Sequence, residues 1–246
     1  MRTLHIVMPM AGLGTRFKSK GYDLPKPLIS VDGVPMFKKA VASLDSLDCP
    51  KEYSFVVRKE HVVDYEIDKI IKNHFAEPNI IVTNDPPIGA AVDCFRAKST
   101  VLNEQAVVFM DCDLYFRSQT YDQTLKECLR NDANTPVAGA IVCFKSQDSR
   151  YSYARVDNGM VVETAEKRVI SELAITGSYF FNSAQLIFKD LGEYISKQLE
   201  IGSKEYYLAP IYNRYIERGQ KIKACLIDEY HSFGTPEELE IYEKDH

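Results

Sequence analysis

An α/β fold with a largely parallel sheet is predicted by two features of the chain. Short runs rich in Val, Ile and Phe alternate with segments of helical period up to residue 110. The chain has 246 residues, of which 45% are hydrophobic, which is enough for one large domain with a full core. Because we find no internal repeat, low-complexity tract or flexible linker, we expect residues 1–246 to form a single domain.

The elements follow from the spacing of apolar residues. In the first part of the chain, apolar runs predict strands over 3–8, 53–57, 79–83 and 106–110, and helical periods between them predict helices over 36–47, 61–74 and 88–99. After residue 111 the same criteria predict helices over 120–131, 183–200 and 205–217, and strands over 136–143, 174–181 and 221–227.

Two local signals complete this prediction. The segments 153–156 and 160–162 flank Asp157-Asn158-Gly159, a turn sequence typical of β-hairpins. A short helix is expected after Thr235, because Pro236 and the two glutamates that follow it suit a helix N-terminus.

Charge and composition exclude several classes of protein. The formal net charge of −5 argues against general nucleic-acid binding. We find no apolar stretch of membrane-spanning length and no leader-like N-terminus, so we expect a cytoplasmic protein without a membrane partner. The six cysteines form no Cys-x-x-Cys pair, which indicates reduced thiols rather than structural zinc.

A glycine-rich loop follows the first predicted strand. It reads Ala11-Gly12-Leu13-Gly14-Thr15-Arg16-Phe17, and Pro25-Lys26-Pro27 lies shortly after it. Gly12 and Gly14 let the backbone N–H groups approach a ligand closely, and Arg16 and Lys26 add two cations. We therefore predict a cradle for a polyphosphate. It is neither a P-loop nor a dinucleotide fingerprint, since no Gly-Lys-Ser/Thr follows and a third glycine is missing.

Two carboxylates follow the strand predicted over 106–110. Asp111 and Asp113 stand where this strand leaves the sheet, and ligands of open α/β folds bind at the carboxyl ends of strands. Carboxylate oxygens there suit Mg²⁺, so Asp111 and Asp113 are candidate metal ligands. The simpler alternative is that both residues merely end the strand. Cys112 between them is interpreted as a packing residue.

The loop from Ala11 to Phe17, together with Pro25-Lys26-Pro27-Leu28, resembles the signature of sugar-1-phosphate nucleotidyltransferases, the NDP-sugar pyrophosphorylases. This resemblance extends through five ordered segments over nearly the whole chain. It implies a Rossmann-like three-layer α/β/α sandwich with a mixed, mostly parallel central sheet. It also implies a Mg²⁺-dependent enzyme of nucleotide-sugar and polysaccharide biosynthesis, whose partners are an NTP and a phosphorylated small-molecule acceptor.

The implied reaction is attack of an acceptor phosphate oxygen on the α-phosphorus, which yields an NDP-sugar and pyrophosphate. The protein then chiefly aligns reactants and neutralises charge. The resemblance implies that Arg16 contacts the leaving pyrophosphate and that Lys26 stabilises phosphate charge during attack. The nucleotide-binding residues that it implies are Ala11, Gly12, Gly14, Asn84, Gly89 and Asp111. For Gly89, packing at a helix entry is the alternative to base contact.

The acceptor-side residues follow the predicted hairpin. Glu166 and Lys167 match a Glu-Lys pair that, in the resembling family, contacts sugar hydroxyls and the acceptor phosphate. Gly177 lies in a further family-like segment, 175–181. An isolated Glu-Lys pair would otherwise be solvated surface.

One position departs from the family pattern. Ser232 precedes Phe233-Gly234-Thr235-Pro236 where the family has an aspartate that helps to hold the metal. Asp113 or Asp228 could supply that ligand, or one carboxylate with waters and phosphates could suffice. The sequence leaves this open.

Three other functions stay open beside the first. They are a cytidylyltransferase that acts on a phosphorylated alcohol or amino compound, a GT-A type glycosyltransferase that uses an NDP-sugar, and a silent nucleotide-binding module. The sequence does not identify the nucleobase, the acceptor or the oligomeric state, and a homo-oligomer is compatible with it.

Overall fold

The structure is a computed structural model that describes residues 1–130 and 137–245. Its strands are β1 Leu4–Pro9, β2 Ser30–Val31, β3 Val34–Pro35, β4 Lys51–Arg58, β5 Asn79–Thr83, β6 Ala106–Met110, β7 Leu114–Arg117, β8 Gly139–Lys145, β9 Tyr153–Asp157, β10 Met160–Ala165, β11 Leu173–Phe181, β12 Ile222–Leu226 and β13 Glu229–Ser232. Its α-helices are α1 Thr15–Ser19, α2 Met36–Val41, α3 Lys59–Tyr65, α4 Ile67–His74, α5 Ala90–Arg96, α6 Gln119–Leu129, α7 Ala184–Glu200, α8 Ile211–Glu217 and α9 Pro236–Asp245.

Nine strands form one mixed sheet in the order β5-β4-β1-β6-β11-β8-β12-β10-β9. The first four strands in this order are parallel to one another. β11 then runs antiparallel to both β6 and β8, whereas β8 and β12 are parallel. The sheet therefore has a parallel part and a mixed part that meet between β6 and β11.

The sheet is covered on both faces. Along β1, Leu4, Ile6 and Met8 belong to one buried apolar cluster, and Val7 belongs to another. This alternation is what a strand produces when both of its faces are packed. Residues of α2, α4 and α6 contribute to the first cluster, and residues of α5, α7 and α8 contribute to the second. The α/β sandwich with a mixed sheet is thus confirmed.

Most predicted elements are confirmed within a few residues. The predicted strands 79–83 and 106–110 coincide with β5 and β6, and the predicted hairpin is formed by β9 and β10. Asn158 and Gly159 both have positive φ at its turn, as the sequence required. Residue 131 of one predicted helix and residue 136 of the following strand lie outside the described residues.

Two predicted helices are wrong in extent. The helix predicted over 61–74 is two helices, α3 and α4, because Glu66 adopts the left-handed conformation with φ 52°. The helix predicted over 205–217 begins only at Ile211. The main chain of Tyr206 instead bonds to the segment before α5: its N–H donates to the Ile88 carbonyl at 2.8 Å, and its carbonyl accepts from the Ala91 N–H at 3.2 Å.

The sequence did not reveal a two-stranded ribbon beyond the main sheet. β7 pairs antiparallel with β13, with Leu114 opposite Ser232. The Phe233 N–H also donates to the Asp113 carbonyl at 2.7 Å. These bonds bring the segment around Ser232 next to the two aspartates that follow β6. Within the described residues, no helix combines the length and apolar character needed to cross a membrane.

A histidine is fully buried in the parallel part of the sheet. His5 Nδ1 lies 3.2 Å from Gln105 Oε1, and that oxygen also accepts the Leu102 N–H at 2.9 Å. Because this amide oxygen can only accept, Nδ1 is the donor in this contact. His5 Nε2 lies 2.7 Å from the Ser54 hydroxyl, which is also 2.7 Å from Thr100 Oγ1. Burial lowers the pKa of His5, and this effect exceeds the opposing effects of Gln105 and Glu52.

The first prediction follows from this neutral ring. In the unfolded chain His5 takes up a proton near its ordinary pKa of about 6.5, and in the folded protein it does so only at lower pH. Its contribution to stability is therefore complete above that pH and is lost as pH falls below it, with a slope of at most about 1.4 kcal/mol per pH unit. Urea unfolding between pH 7 and pH 5 should show a shallower loss for His5→Gln than for the wild type.

His74→Gln is the matched control, because His74 is exposed on α4. It should retain the wild-type pH dependence of the free energy of unfolding. Identical slopes for His5→Gln and the wild type would contradict the burial of a neutral His5.

Candidate functional site

Two adjoining cavities open at the carboxyl ends of β1 and β6. The N-terminal cavity has a volume of about 500 Å³, and its lining includes Pro9, Met10, Gly12, Gly14, Arg16, Lys26 and Pro27. The hairpin cavity has a volume of about 230 Å³, and its lining includes Arg150, Tyr151, Ser152, Glu166, Thr176, Gly177 and Tyr207. Both are also lined by Arg16, Asp111, Asp113 and Gly234, so the cavities meet at these residues.

The glycine-rich loop connects β1 to the short helix α1. Gly14 precedes α1 in the left-handed conformation, with φ 61°, and a Cβ on it would lie 3.4 Å from the Lys26 Cβ. Arg16 is exposed on α1, and we find no ion-pair partner for it among the described residues. Ala11 is buried beneath the loop rather than in the cavity lining. The loop thus presents backbone and a free guanidinium to the cavity.

The two aspartates after β6 have different surroundings. Lys26 Nζ forms an ion pair with Asp113 Oδ2, and both side chains are about four-fifths buried. Burial and the nearby Asp113 raise the pKa of Asp111 to about 8, although Lys26 acts in the opposite direction. Burial lowers the pKa of Lys26, but the opposing effects of Asp113, Cys112 and Asp111 together more than offset this, and the resulting pKa is above its ordinary value. Lys26 is therefore charged, whereas Asp111 lacks a cation of its own.

Cys112, between the aspartates, is buried. Burial and then Asp113 raise the pKa of its thiol to about 12, so the thiol stays protonated at neutral pH. This agrees with its interpretation as a packing residue.

Gly177 and Asp111 are in close contact across β6 and β11. The Asp111 N–H donates to the Gly177 carbonyl at 3.0 Å. Gly177 has φ 103°, and a Cβ there would lie 2.5 Å from Asp111 Oδ2. Glycine is therefore required at this position for two reasons, the backbone conformation and the approach of the carboxylate.

Glu166 lies in the hairpin cavity, and Lys167 lies at its edge. The Ser152 hydroxyl donates to Glu166 Oε2, and burial raises the pKa of this carboxyl. Lys167 has φ 50° and is not in the lining. Its Nζ donates to Tyr207 Oη at 2.6 Å and to Glu205 Oε2 at 3.2 Å.

Neither Gly89 nor Asn84 belongs to the lining of the two cavities. Gly89 has φ 122°, and a Cβ on it would lie 2.2 Å from the Tyr206 carbonyl oxygen. Gly89 therefore serves the packing of two main-chain segments in this structure. Asn84 is exposed and lines neither cavity.

Ser232 is hydrogen-bonded to a carboxylate, that of Glu238. Its hydroxyl donates to Glu238 Oε2 at 2.9 Å, and the Thr235 N–H donates to the same oxygen at 3.0 Å. Glu238 Oε1 forms an ion pair with Arg150. Asp228 lies elsewhere, where its Oδ2 accepts the Gln119 N–H at 2.7 Å and caps the start of α6.

Sequence reasoning missed Arg150 and Glu238. A signal for Glu238 was present, since Thr235-Pro236-Glu237-Glu238 is a capping-box sequence and the Glu238 N–H donates back to Thr235 Oγ1 at 3.3 Å. Arg150 carries no comparable local signal, because its partner is 88 residues away.

Known proteins resemble this chain over nearly its whole length. A sequence profile described as "Nucleotidyl transferase" matches residues 5–236. The bifunctional protein GlmU of Carboxydothermus hydrogenoformans is 25% identical over 243 residues, which cover 94% of this chain and 50% of that protein. The chain thus spans about half the length of the curated relatives that it matches.

Solved structures show the same fold. The nucleoside-diphosphate-sugar pyrophosphorylase from Vibrio cholerae superposes with a TM-score of 0.80 and 25% identity, over 97% of this chain and 99% of that chain. The inositol-1-phosphate CTP transferase from T. maritima gives a TM-score of 0.75 at 16% identity, over 97% and 93% of the two chains, which supports the fold alone. The predicted fold class is thus confirmed. Since the family profile covers most of a chain whose glycine-rich loop and aspartates line one site, this protein belongs to the nucleotidyl transferase family.

Proposed function

We propose that this protein joins an NTP to a sugar 1-phosphate and releases pyrophosphate and an NDP-sugar. The observation that carries the proposal is the meeting of two cavities at Asp111 and Asp113. A reaction between two phosphorylated substrates needs two adjoining pockets with cations and metal-ligand oxygens where they join. We assign the nucleotide to the N-terminal cavity and the acceptor to the hairpin cavity.

The residues of the glycine-rich loop would hold the triphosphate. Backbone N–H groups around Gly12 and Gly14 would donate to phosphate oxygens, and the free guanidinium of Arg16 would bind the leaving pyrophosphate. Lys26 is charged and lies beside the aspartates, so its ammonium would stabilise the phosphate charge that develops during attack.

The carboxylates of Asp111 and Asp113 fit Mg²⁺. They are oxygen ligands at a cavity edge, and a cation would relieve the burial of Asp111 beside a second carboxylate. Among the described residues there is no group of three or more His, Cys, Asp or Glu side chains that could hold a metal. Waters and substrate phosphates would therefore complete the coordination, and the ion would supply positive charge to the phosphates.

The acceptor would bind between the β9–β10 hairpin and β11. Glu166 would accept hydrogen bonds from sugar hydroxyls. Lys167 Nζ would give up its hydrogen bond to Glu205 or Tyr207 and bind the acceptor phosphate instead.

A second candidate is a cytidylyltransferase for a phosphorylated alcohol or amino compound. The observation in its favour is Glu166, a half-buried carboxylate without an ion-pair partner among the described residues, since an ammonium group would neutralise it.

Pyrophosphate release decides between these functions. The purified protein is assayed with ATP, GTP, CTP, UTP and dTTP, each in combination with sugar 1-phosphates, polyol phosphates and aminoalkyl phosphates. Release with sugar 1-phosphates supports the first function, and release only with the other acceptors supports the second. If no combination releases pyrophosphate, both are wrong.

The second prediction concerns the two cations. Arg16→Ala and Lys26→Ala should each lower kcat/KM by an amount that corresponds to about 2–4 kcal/mol in the transition state, because each loses a charge-assisted phosphate contact. Lys18→Ala is the matched control, since Lys18 is an exposed cation on the same helix, α1, and lines neither cavity. Near-normal turnover of folded Arg16→Ala and Lys26→Ala would contradict these assignments.

The third prediction concerns the aspartates. Activity should require Mg²⁺ or Mn²⁺, and Asp111→Asn should be more damaging than Asp113→Asn, because Asp113 is already paired with Lys26. The half-maximal metal concentration is measured for both variants and for Asp64→Asn, which changes an exposed carboxylate on α3. Full activity in excess chelator would exclude a metal requirement, and the reverse ranking would make Asp113 the principal ligand.

A further inference from the structure

Thr176 on β11 has a buried hydroxyl without a partner. The residue is 6% exposed, and its Oγ1 forms no hydrogen bond with the described residues. Leaving such a group unsatisfied costs about 1–3 kcal/mol. Thr176 also lines the hairpin cavity, so a ligand there is within reach of this side chain.

An irregularity in the sheet sets the position of Thr176. Ile175 pairs with Cys143 and Tyr179 pairs with Ile141, so β11 uses four steps where β8 uses two. The bulge that results releases Thr176 from the regular ladder. Bulges of this kind re-aim side chains and are frequent beside active sites.

The main chain on either side of Thr176 is hydrogen-bonded to residues that line the hairpin cavity. On one side the Ile175 N–H donates to the Ser152 carbonyl at 2.8 Å, and the Ser152 hydroxyl donates to Glu166. On the other side the Gly177 carbonyl accepts the Asp111 N–H. Thr176 thus lies on β11 between the Glu166 wall of the cavity and Asp111.

We propose that Thr176 and Glu166 together bind a hydroxyl group of the phosphorylated acceptor, which makes Thr176 a specificity-determining residue for polyhydroxylated acceptors. This inference rests on the proposed function and narrows it. On ligand binding, rotation about χ1, which exchanges the hydroxyl and the methyl group of a threonine between staggered positions, would turn the buried Oγ1 towards the cavity.

The chemistry of the two groups selects the ligand. An ionised Glu166 can only accept hydrogen bonds, so the ligand group must donate one. The Thr176 hydroxyl also has a proton of its own to donate, so the ligand must offer an acceptor as well. A hydroxyl does both, whereas an ammonium group only donates and would leave the Thr176 proton unpaired.

The fourth prediction tests this assignment with Thr176→Val, which keeps the β-branched shape and removes the hydroxyl. The KM for the acceptor should rise about tenfold, because one hydrogen bond is lost, while the KM for the NTP stays unchanged. The wild type should also discriminate by about tenfold against one monodeoxy form of its acceptor, and Thr176→Val should lose this discrimination. Thr176→Ser should restore both properties.

Thr124→Val is the control, because Thr124 is also a buried threonine but donates to the Thr120 carbonyl at 2.7 Å within α6. It should leave both KM values unchanged. Binding of the acceptor alone is measured by calorimetry for the wild type and Thr176→Val, as a readout that does not require turnover.

The outcomes separate this inference from the proposed function. If the wild type turns over a sugar phosphate and Thr176→Val retains its acceptor affinity and its discrimination, the inference alone is wrong. A wild-type preference for an aminoalkyl phosphate, unaffected by Thr176→Val, would also overturn it. If no phosphorylated polyol binds to the wild type, the proposed function and the inference fall together.

Discussion

The contact between Asp111 and Gly177 is the constraint on which the site depends. It lies where the parallel part of the sheet meets β11, and it joins the two strands by an N–H to carbonyl bond of 3.0 Å. No side chain fits at position 177, because its Cβ would lie 2.5 Å from Asp111 Oδ2. The carboxylate can therefore lie against the main chain of β11 and face both cavities. Residues that follow β6 thus line the N-terminal cavity, and residues of the neighbouring strand β11 line the hairpin cavity.

Burial and charge at this junction explain why cations suit it. Burial and Asp113 raise the pKa of Asp111 to about 8, so its ionised form is costly in the free protein. Lys26 neutralises Asp113 directly and compensates Asp111 only in part. A ligand or ion that brings positive charge to Asp111 would lower this cost. The two aspartates therefore have different roles. Asp113 already has Lys26 as its cation, whereas Asp111 is open to a bound ion or ligand.

Local patterns predicted the strands and the glycine-rich loop, but they could not predict contacts between distant segments. β5 and β6 were predicted to the residue, because an apolar run in a buried strand is a local property. The segment 205–210 has a helical period, yet it is not helical, because the Tyr206 main chain bonds to Ile88 and Ala91. Tertiary hydrogen bonds overrode local propensity there.

The same limit applies to the candidate site. Gly12, Gly14, Arg16, Lys26, Asp111 and Asp113 were found from sequence and line one cavity. The sequence pointed to Lys167, but not to its partners Glu205 and Tyr207, because they lie about 40 residues away in the chain. Gly89 was weighed between base contact and packing, and the structure gives it a packing role against Tyr206.

The substitution at Ser232 is understood only together with Glu238. Both Glu238 Oε2 and Asp113 Oδ2 lie within 3.4 Å of the position that a Cβ on Gly234 would take. A carboxylate is therefore present near Asp113 although position 232 holds a serine. This carboxylate is committed, however, because it caps α9, accepts from Ser232 and pairs with Arg150. Because Arg150 cancels its charge, Glu238 does not supply the free carboxylate that the family pattern would place at position 232. The proposed Mg²⁺ would then rely on Asp111 and Asp113, with substrate phosphates and waters as its other ligands.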